Sequence, residues 1–313
     1  MKKWLQENLV CPTCLPRHVS LDLEIREECG DDIIDGRLLC AACGTPYAID
    51  KGVAVVVPAA TQSAAAGTSE YNSQGMLSAY LWSHYSDLFN DPDATGAYRA
   101  WASLLKPSPG IALDIGCAVG RLSFEMSTTH RRVIGIDTSF SFIEKARSLL
   151  QQRRLRFDLI VEGLITEERA CALSPAWNHE RIDFIVADAL ALPFADHLFS
   201  TVSSINILEK VPDPLQHLRE VNRVLAPEDG LLAFSDPFSW DASVTDPSLW
   251  IGGRPDGPFS GRGYDCMRRI FSGDAGVFTP SLHIMEGGAV PWKIRKTANL
   301  WEHITSHYLV GSR

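Results

Sequence analysis

The sequence predicts an α/β fold of the Rossmann-like kind, and three observations predict it. An apolar strand, Ile111-Ala-Leu-Asp-Ile115, runs straight into an acidic, glycine-punctuated turn that ends at Gly120. A helix-like run from Arg121 to Ser127 follows, and a second apolar run, Val133-Ile-Gly-Ile-Asp137, closes on an acid. Strand, glycine turn, helix and acid-tipped strand make a nucleotide-binding βαβ unit. Gly116 and Gly120 let the backbone approach a ligand where a Cβ would collide, and an acid at the tip of the second strand can hold both hydroxyls of a ribose.

The turn narrows the ligand. A dinucleotide site wants G-x-G-x-x-G, with helix N–H groups facing a pyrophosphate. Here the pattern is D-x-G-x-x-x-G, with Ala118 in place of a middle glycine and Asp114 inside the turn, where it would repel a pyrophosphate but suit a cationic ligand. Leu113-Asp-Ile-Gly-Cys-Ala-Val-Gly120 resembles motif I of class I S-adenosylmethionine-dependent methyltransferases, and Gly135-Ile-Asp137 resembles their ribose-binding acid. Val186-Ala-Asp-Ala-Leu190 with Leu192-Pro-Phe194 resembles the third motif, and Asn206-Ile-Leu-Glu-Lys-Val-Pro-Asp213 resembles the segment after strand four. Arg219–Leu225 and Gly230–Phe234 resemble the next helix and strand. The resemblance implies a seven-stranded methyltransferase sheet with helices on both faces, an enzyme, and S-adenosylmethionine as cofactor.

Composition bounds the alternatives. The 313 residues are enough for one large domain plus a small one, and 45% hydrophobic with 21% charged residues is an ordinary globular balance. No apolar run approaches the ~20 residues that cross a bilayer, and Met1-Lys-Lys-Trp-Leu-Gln-Glu-Asn8 has no apolar core of a secretion signal behind it. The expected compartment is the cytoplasm. The net charge of -9 argues against a nucleic-acid partner, since phosphate binding wants clustered Lys and Arg.

Four of the eight cysteines form two C-x-x-C knuckles, Cys11-Pro-Thr-Cys14 and Cys40-Ala-Ala-Cys43, the spacing of a zinc ribbon. Two thiolates three apart in a tight turn can face one metal, and Gly44 frees the second turn. A redox dithiol needs only one such pair. The expected metal is a structural Zn2+ on Cys11, Cys14, Cys40 and Cys43, with no open position for catalysis. Leu9–Cys14 and Cys43–Pro58 resemble the small zinc-ribbon family that partners and activates tRNA and protein methyltransferases. Cys29, Cys171 and Cys266 carry no assigned chemistry.

The expected organisation is a zinc-ribbon-like β domain over 1–58, a linker over 59–73 and a methyltransferase domain over 74–313. Ala59–Ser69 is small, polar and unpatterned. Residues 75–90 and 95–105 show helical spacing with Tyr80, Trp82, Tyr85, Phe89 and Trp101; the resemblance implies helices that cap the cofactor pocket, though each aromatic taken singly reads first as core packing. Between the helix after Asp137 and the strand at Asp183 lies a long insertion, and after strand five comes a Gly/Pro/Trp-rich loop reaching Gly263, expected to overhang the ligand site. Two β-like runs, Leu282–Arg295 and His303–Val310, end the chain.

The insertion and tail narrow the resemblance. Phe142-Ile-Glu-Lys-Ala, Arg154-Leu-Arg-Phe157, Pro237-Phe-Ser-Trp240, Trp250-Ile-Gly-Gly253 and Pro291–Thr297 are similar to the methyltransferase domain of ovothiol-synthesising enzymes, an imidazole N-methyltransferase of 5-thiohistidine (4-mercaptohistidine). The ribbon in front and the missing sulfoxide synthase module depart from it.

The motif positions imply Asp114, Gly116, Cys117 and Gly120 around the methionine moiety, Asp137 on the ribose, and Asp188 with Ala189 at the adenine. Asn206 would stand where acceptor meets methyl group; Trp240, Trp250 and Lys293 are the candidate acceptor residues. Singly, Asp114 could cap a helix and Asp188 could close a turn. Glu209, His217, His303 and His307 could take an acceptor proton, and their spacing selects none, with His217 expected on a helix surface. The leading reading is methyl transfer to a small molecule, a thiohistidine-like imidazole among them. The alternative is a tRNA, rRNA or protein methyltransferase with the ribbon as recognition arm. The ribbon loop, acidic at Asp22, Glu24, Glu27, Glu28, Asp31, Asp32 and Asp35, speaks against RNA.

Overall fold

In the computed structural model, which describes residues 1–61 and 73–313, one sheet runs through the molecule in the order β1-β2-β3-β4-β9-β6-β5-β10-β11-β13-β12. The central strands β5 (Ser108–Ile115), β6 (His130–Asp137), β9 (Ile182–Ala187), β10 (Thr201–Ile205) and β11 (Leu231–Asp236) are parallel. At the far edge β13 (Trp301–Ser312) lies antiparallel between β11 and β12 (His283–Arg295).

Side-chain alternation along these strands builds two cores, one on each face. Ile111, Leu113 and Ile115 join Ile134, Ile136, Leu232 and Phe234 on one face, under α5 (Pro214–Val224) and α6 (Gly263–Phe271). Ala112, Val133, Phe184 and Ala233 point the other way, into a layer made by α1 (Gln74–Tyr85), α2 (Ala97–Ser103), α3 (Arg121–Met126) and α4 (Phe140–Gln152). Ser139 and Asp213 cap α4 and α5 through their side chains, accepting from Phe142 N and Gln216 N, and Pro214 opens α5 with its fixed φ.

Seven strands, in the order β9-β6-β5-β10-β11-β13-β12, make up the part of the sheet that corresponds to the expected methyltransferase sheet, and the β segment expected in front of it continues the same sheet. The sheet has eleven strands, because β1 (Leu21–Cys29), β2 (Asp32–Cys40), β3 (Pro46–Asp50) and β4 (Val53–Val56) extend it. The joint is β4, which pairs antiparallel with β3 and parallel with β9, Val55 opposite Val186 and Val56 opposite Ala187. The apolar run Val53–Val56 behaves as an internal strand. A buried ionic junction reinforces the joint: Arg147 of α4 reaches Asp183 of β9 and Asp32 of β2 at once.

The insertion is a hairpin, β7 (Arg154–Glu162) with β8 (Ile165–Ala172), outside the main sheet. Leu155, Phe157 and Leu159 alternate inward, and Ser78 of α1 donates to the Asp158 carbonyl at 2.9 Å. The linker expected at 59–73 falls, over 62–72, outside the described residues. Among the described residues no helix is long and apolar enough to cross a membrane.

Candidate functional site

The carboxyl ends of β5, β6, β9 and β10 open into one cavity of about 420 Å³. Gly116 and Ala118 follow β5, Asp137 ends β6 and Thr138 follows it, Asp188 and Ala189 follow β9, and Asn206 and Ile207 follow β10. Parallel strands end on the same side, so four loops converge there without any residue being close to the others in sequence.

The first turn is built for close approach. Gly116 has φ +70°, and a Cβ on it would lie 1.9 Å from Ile207 Cδ1. Ala118 is also left-handed, at φ 45°. Its N–H donates to Asp137 Oδ2 at 3.0 Å, while Ser139 N–H donates to Oδ1 at 2.8 Å. Both carboxylate oxygens are thereby fixed with lone pairs to spare. Burial pushes the Asp137 carboxyl up to about 6 against these backbone donors. Asp188 serves twice: it lines the cavity, and its Oδ1 accepts from Leu190 N at 2.8 Å to close the turn. Asn206 sits at φ 58°, held by its N–H to Ser235 O, and its buried Oδ1 has no hydrogen-bond partner among the described residues.

Three motif residues stand behind the cavity rather than on it. Asp114, one step along β5 from the cavity-facing positions, points into the helix layer and accepts from Ser123 Oγ at 2.6 Å and Ser203 Oγ at 2.8 Å. It ties β5 to α3 and β10, and burial raises its carboxyl to about 6. Cys117 is buried with its thiol toward the Ala118 carbonyl. Gly120 is required by packing: at φ +85° a Cβ would meet Phe184 Cζ at 2.6 Å.

The structure places the acceptor candidates away from the cavity lining. Trp240 and Trp250 stack on each other, 6.0 Å apart and 14° from parallel, in the loop after β11, and neither lines the cavity. That loop turns to the opposite face, where Phe238 packs toward Phe234. Lys293 lies outside as well, its Nζ donating to the Asp93 carbonyl at 3.2 Å. Its neighbour Trp292 is on the wall instead, since alternate residues of β12 face opposite sides. His217 is fully buried, hydrogen-bonded to Ser204 Oγ at 2.9 Å, and burial lowers its pKa to about 4.

The wall opposite the strand ends comes from the helical segments that the resemblance expects to cap the pocket, Tyr80 among them, but the sequence did not single out His84, Tyr98 or Trp292. Tyr80 and His84 of α1, Tyr98 of α2, Phe142 of α4 and Trp292 line the cavity, as do Val57 and Thr61. Their helical spacing was the signal, but core packing has the same period. His84 is 3% exposed, and its Nε2 pairs with the Tyr98 hydroxyl at 2.5 Å. Burial and the Arg121 charge keep it neutral, well below the usual imidazole range. His84 Nδ1 and Trp292 Nε1 are buried without partners among the described residues.

Sequence comparison locates the family. Residues 113–234 match the family described as "Methyltransferase domain". This chain carries a class I S-adenosylmethionine-dependent methyltransferase domain. The methyltransferase domain is similar to the ubiquinone/menaquinone biosynthesis C-methyltransferase UbiE of Hahella chejuensis, 32% identical over 48% of this chain and 55% of that protein. It is also similar to the methyltransferase GfsG of Streptomyces halstedii, 32% identical over 40% of this chain and 36% of that one. A ubiquinone biosynthesis O-methyltransferase of Actinobacillus pleuropneumoniae is 29% identical over 39% and 44%. The chain thus spans about half the length, or less, of the curated relatives it matches. Among solved structures it is similar to a chain of the complex between the Haloferax volcanii Trm112 methyltransferase activator and a methyltransferase, with TM-score 0.46 and 16% identity over 78% of this chain and 95% of that one.

The second constellation is the cysteine cluster. Sγ atoms of Cys11, Cys14, Cys40 and Cys43 all lie within 4.8 Å of one another. Cys11 and Cys43 are 3.6 Å apart and Cys14 and Cys40 3.8 Å apart. A tetrahedral zinc with bonds of about 2.3 Å sets its sulfurs roughly 3.8 Å apart, so the donor set fits. The short helical turn Pro12–Cys14 shapes the first knuckle, and Gly44 at φ +73° donates to the Cys40 carbonyl at 2.8 Å to shape the second.

Proposed function

We propose that the protein transfers the methyl group of S-adenosylmethionine to a small-molecule nucleophile enclosed by the aromatic wall of the cavity. The observation that carries this reading is the convergence of Asp137, Asp188 and Asn206 from successive strand ends on one cavity, with both Asp137 oxygens fixed by backbone donors. The orphaned polar atoms of Asn206, His84 and Trp292 in its walls are the groups a ligand would satisfy.

The cofactor supplies an electrophilic methyl on a sulfonium. Asp137 takes the ribose hydroxyls, and Asp188 with Ala189 takes the adenine edge. Gly116 and Ala118 leave their backbone open beside the methionine portion. Asp114, Cys117 and Gly120 set that turn from behind, and Asn206 holds the acceptor in line. Positioning contributes most of the acceleration in such a displacement. The apolar wall helps too, because positive charge leaves the sulfonium as the bond forms and is poorly solvated there.

The acceptor class follows from this lining. Trp240, Trp250 and Lys293 stand outside the cavity while Phe142 and Trp292 line it, so the lining does not single out a thiohistidine among small acceptors. The curated relatives named for ubiquinone biosynthesis support small acceptors in general. The recognition-arm alternative meets an exposed acidic edge at Glu24, Glu27, Glu28 and Asp31, which repels phosphate. Cys11, Cys14, Cys40 and Cys43 would hold a structural zinc, and four thiolate ligands would leave it no open position for catalysis.

The test is S-adenosylhomocysteine release from S-adenosylmethionine against a panel of small hydroxyl, thiol, imidazole and acidic-carbon acceptors. Acceptor-dependent release supports the reading. No release with any acceptor, in protein that binds S-adenosylhomocysteine, removes the small-molecule half of it.

A further inference from the structure

We infer that the first cysteine knuckle is a buttress of the cofactor cavity, so that metal occupancy and cofactor affinity are linked; this rests on the cofactor reading above. The knuckle is hydrogen-bonded to two separate segments that also carry cavity-lining residues. On one side Val10, next to Cys11, donates its N–H to the Pro193 carbonyl at 2.9 Å. Pro193 ends the segment that begins with the cavity residues Asp188 and Ala189. On the other side Ala59 N–H donates to Thr13 Oγ1 at 3.0 Å, and Ala59 lies between the cavity residues Val57 and Thr61.

The second link continues to the sulfur. Thr13 Oγ1 is 3.0 Å from the Tyr47 hydroxyl, which is 3.0 Å from Cys11 Sγ. A thiolate on a metal can only accept, and this fixes the direction of the whole chain. Ala59 N–H donates to Thr13, the Thr13 hydroxyl to Tyr47, and the Tyr47 hydroxyl to Cys11 sulfur, with every donor used. Bonds aligned head to tail onto an anion strengthen one another. Removing the metal unties Cys11 and Cys14 on either side of Thr13, so the hydroxyl that holds Ala59 loses its fixed place and the segment 57–61 loses its hold. Thr13 and Tyr47 are therefore positioning residues for the cofactor site, placed on a different part of the fold from the motif residues.

Linkage is reciprocal: whatever the metal does for the cofactor, the cofactor does for the metal. The experiment uses the full chain with zinc content measured by atomic emission, titrated calorimetrically with S-adenosylhomocysteine. Thr13→Val keeps the shape and removes both hydrogen bonds; Thr13→Ser restores the hydroxyl. At unchanged zinc content Thr13→Val binds roughly threefold to tenfold more weakly, the range of one or two neutral hydrogen bonds, and Thr13→Ser binds as wild type. Metal-stripped protein is weakened at least as much, and Thr13→Val adds nothing further to it. In the reverse direction, saturating S-adenosylhomocysteine slows zinc transfer to a chromogenic chelator in wild type and not in Thr13→Val. Wild-type affinity in both Thr13→Val and stripped protein overturns the inference alone, as does a chain that holds no stoichiometric zinc. Absence of S-adenosylhomocysteine binding in zinc-replete wild type overturns the cofactor reading and this inference with it.

Discussion

Replacing Asp137 by Asn tests the cofactor assignment with a change of one atom. In the native site Oδ1 and Oδ2 each accept a backbone N–H, from Ser139 at 2.8 Å and Ala118 at 3.0 Å, and the remaining lone pairs are left for a ribose diol. An Asn must turn its NH2 toward one of those N–H groups, losing that bond and one acceptor for the diol, and it also loses the charge. A hydrogen bond to a charged group contributes about 1.5–3 kcal/mol, so one lost bond plus the opposed N–H groups costs about 2–4 kcal/mol. That is roughly a 30-fold to 1000-fold weaker Kd. Calorimetric titration with S-adenosylhomocysteine measures it, with the melting temperature as a fold control. The pH dependence has a definite sign. Burial pushes the Asp137 carboxyl up to about 6, and the diol needs the ionised form, so affinity is flat above that pH and falls below it in wild type. Asp137→Asn has no such fall. A variant that binds within threefold of wild type, or a wild-type affinity that does not weaken below pH 6, refutes the assignment.

Other outcomes follow from the same geometry. Gly116→Ala puts a methyl where Ile207 lies and forces a left-handed φ, costing about 1–2 kcal/mol locally; S-adenosylhomocysteine affinity drops at least tenfold, and Ile207→Ala in the same chain recovers part of it. On β12, Trp292→Ala impairs turnover and Lys293→Ala leaves it unchanged, which steady-state kinetics with the same acceptor distinguishes. Burial and the nearby Glu209 raise the Asp236 carboxyl to about 8 from an ordinary value of 3.8. The native state therefore binds more protons than the unfolded one between those values, and this stability contribution, whole below about 4, is lost as pH rises through 8. Asp236→Asn flattens the decline of melting temperature between pH 5 and 9, and an unchanged slope contradicts the assignment.

The sequence made the strand ends legible because a glycine turn and an acid at a strand tip leave a local pattern. Gly116, Asp137, Asp188, Ala189 and Asn206 all line the cavity. Within the same turns, depth was not legible: Asp114 and Gly120 obey the motif yet face Ser123 and Phe184, because which side of a strand a residue takes depends on what packs there. Lys293 failed by one register step, the length of a β alternation. His84 and Tyr98 were hidden in helices whose aromatic spacing serves packing and ligand contact alike. The union of ribbon and core sheet rests on Val55 meeting Val186, a pairing between distant segments that marks neither one locally. The knuckles, by contrast, carry their geometry in their spacing, and the four sulfurs do converge.

The central claim is that the methyl group goes to a small molecule. Purified protein and S-adenosylmethionine labelled at the methyl are incubated with a cell extract, which is then split into acid-soluble and acid-precipitable fractions. The account predicts protein-dependent label in a non-volatile acid-soluble product, with none above background for Asp137→Asn. Label recovered in precipitated RNA or protein, with no such product in the soluble fraction, would contradict it.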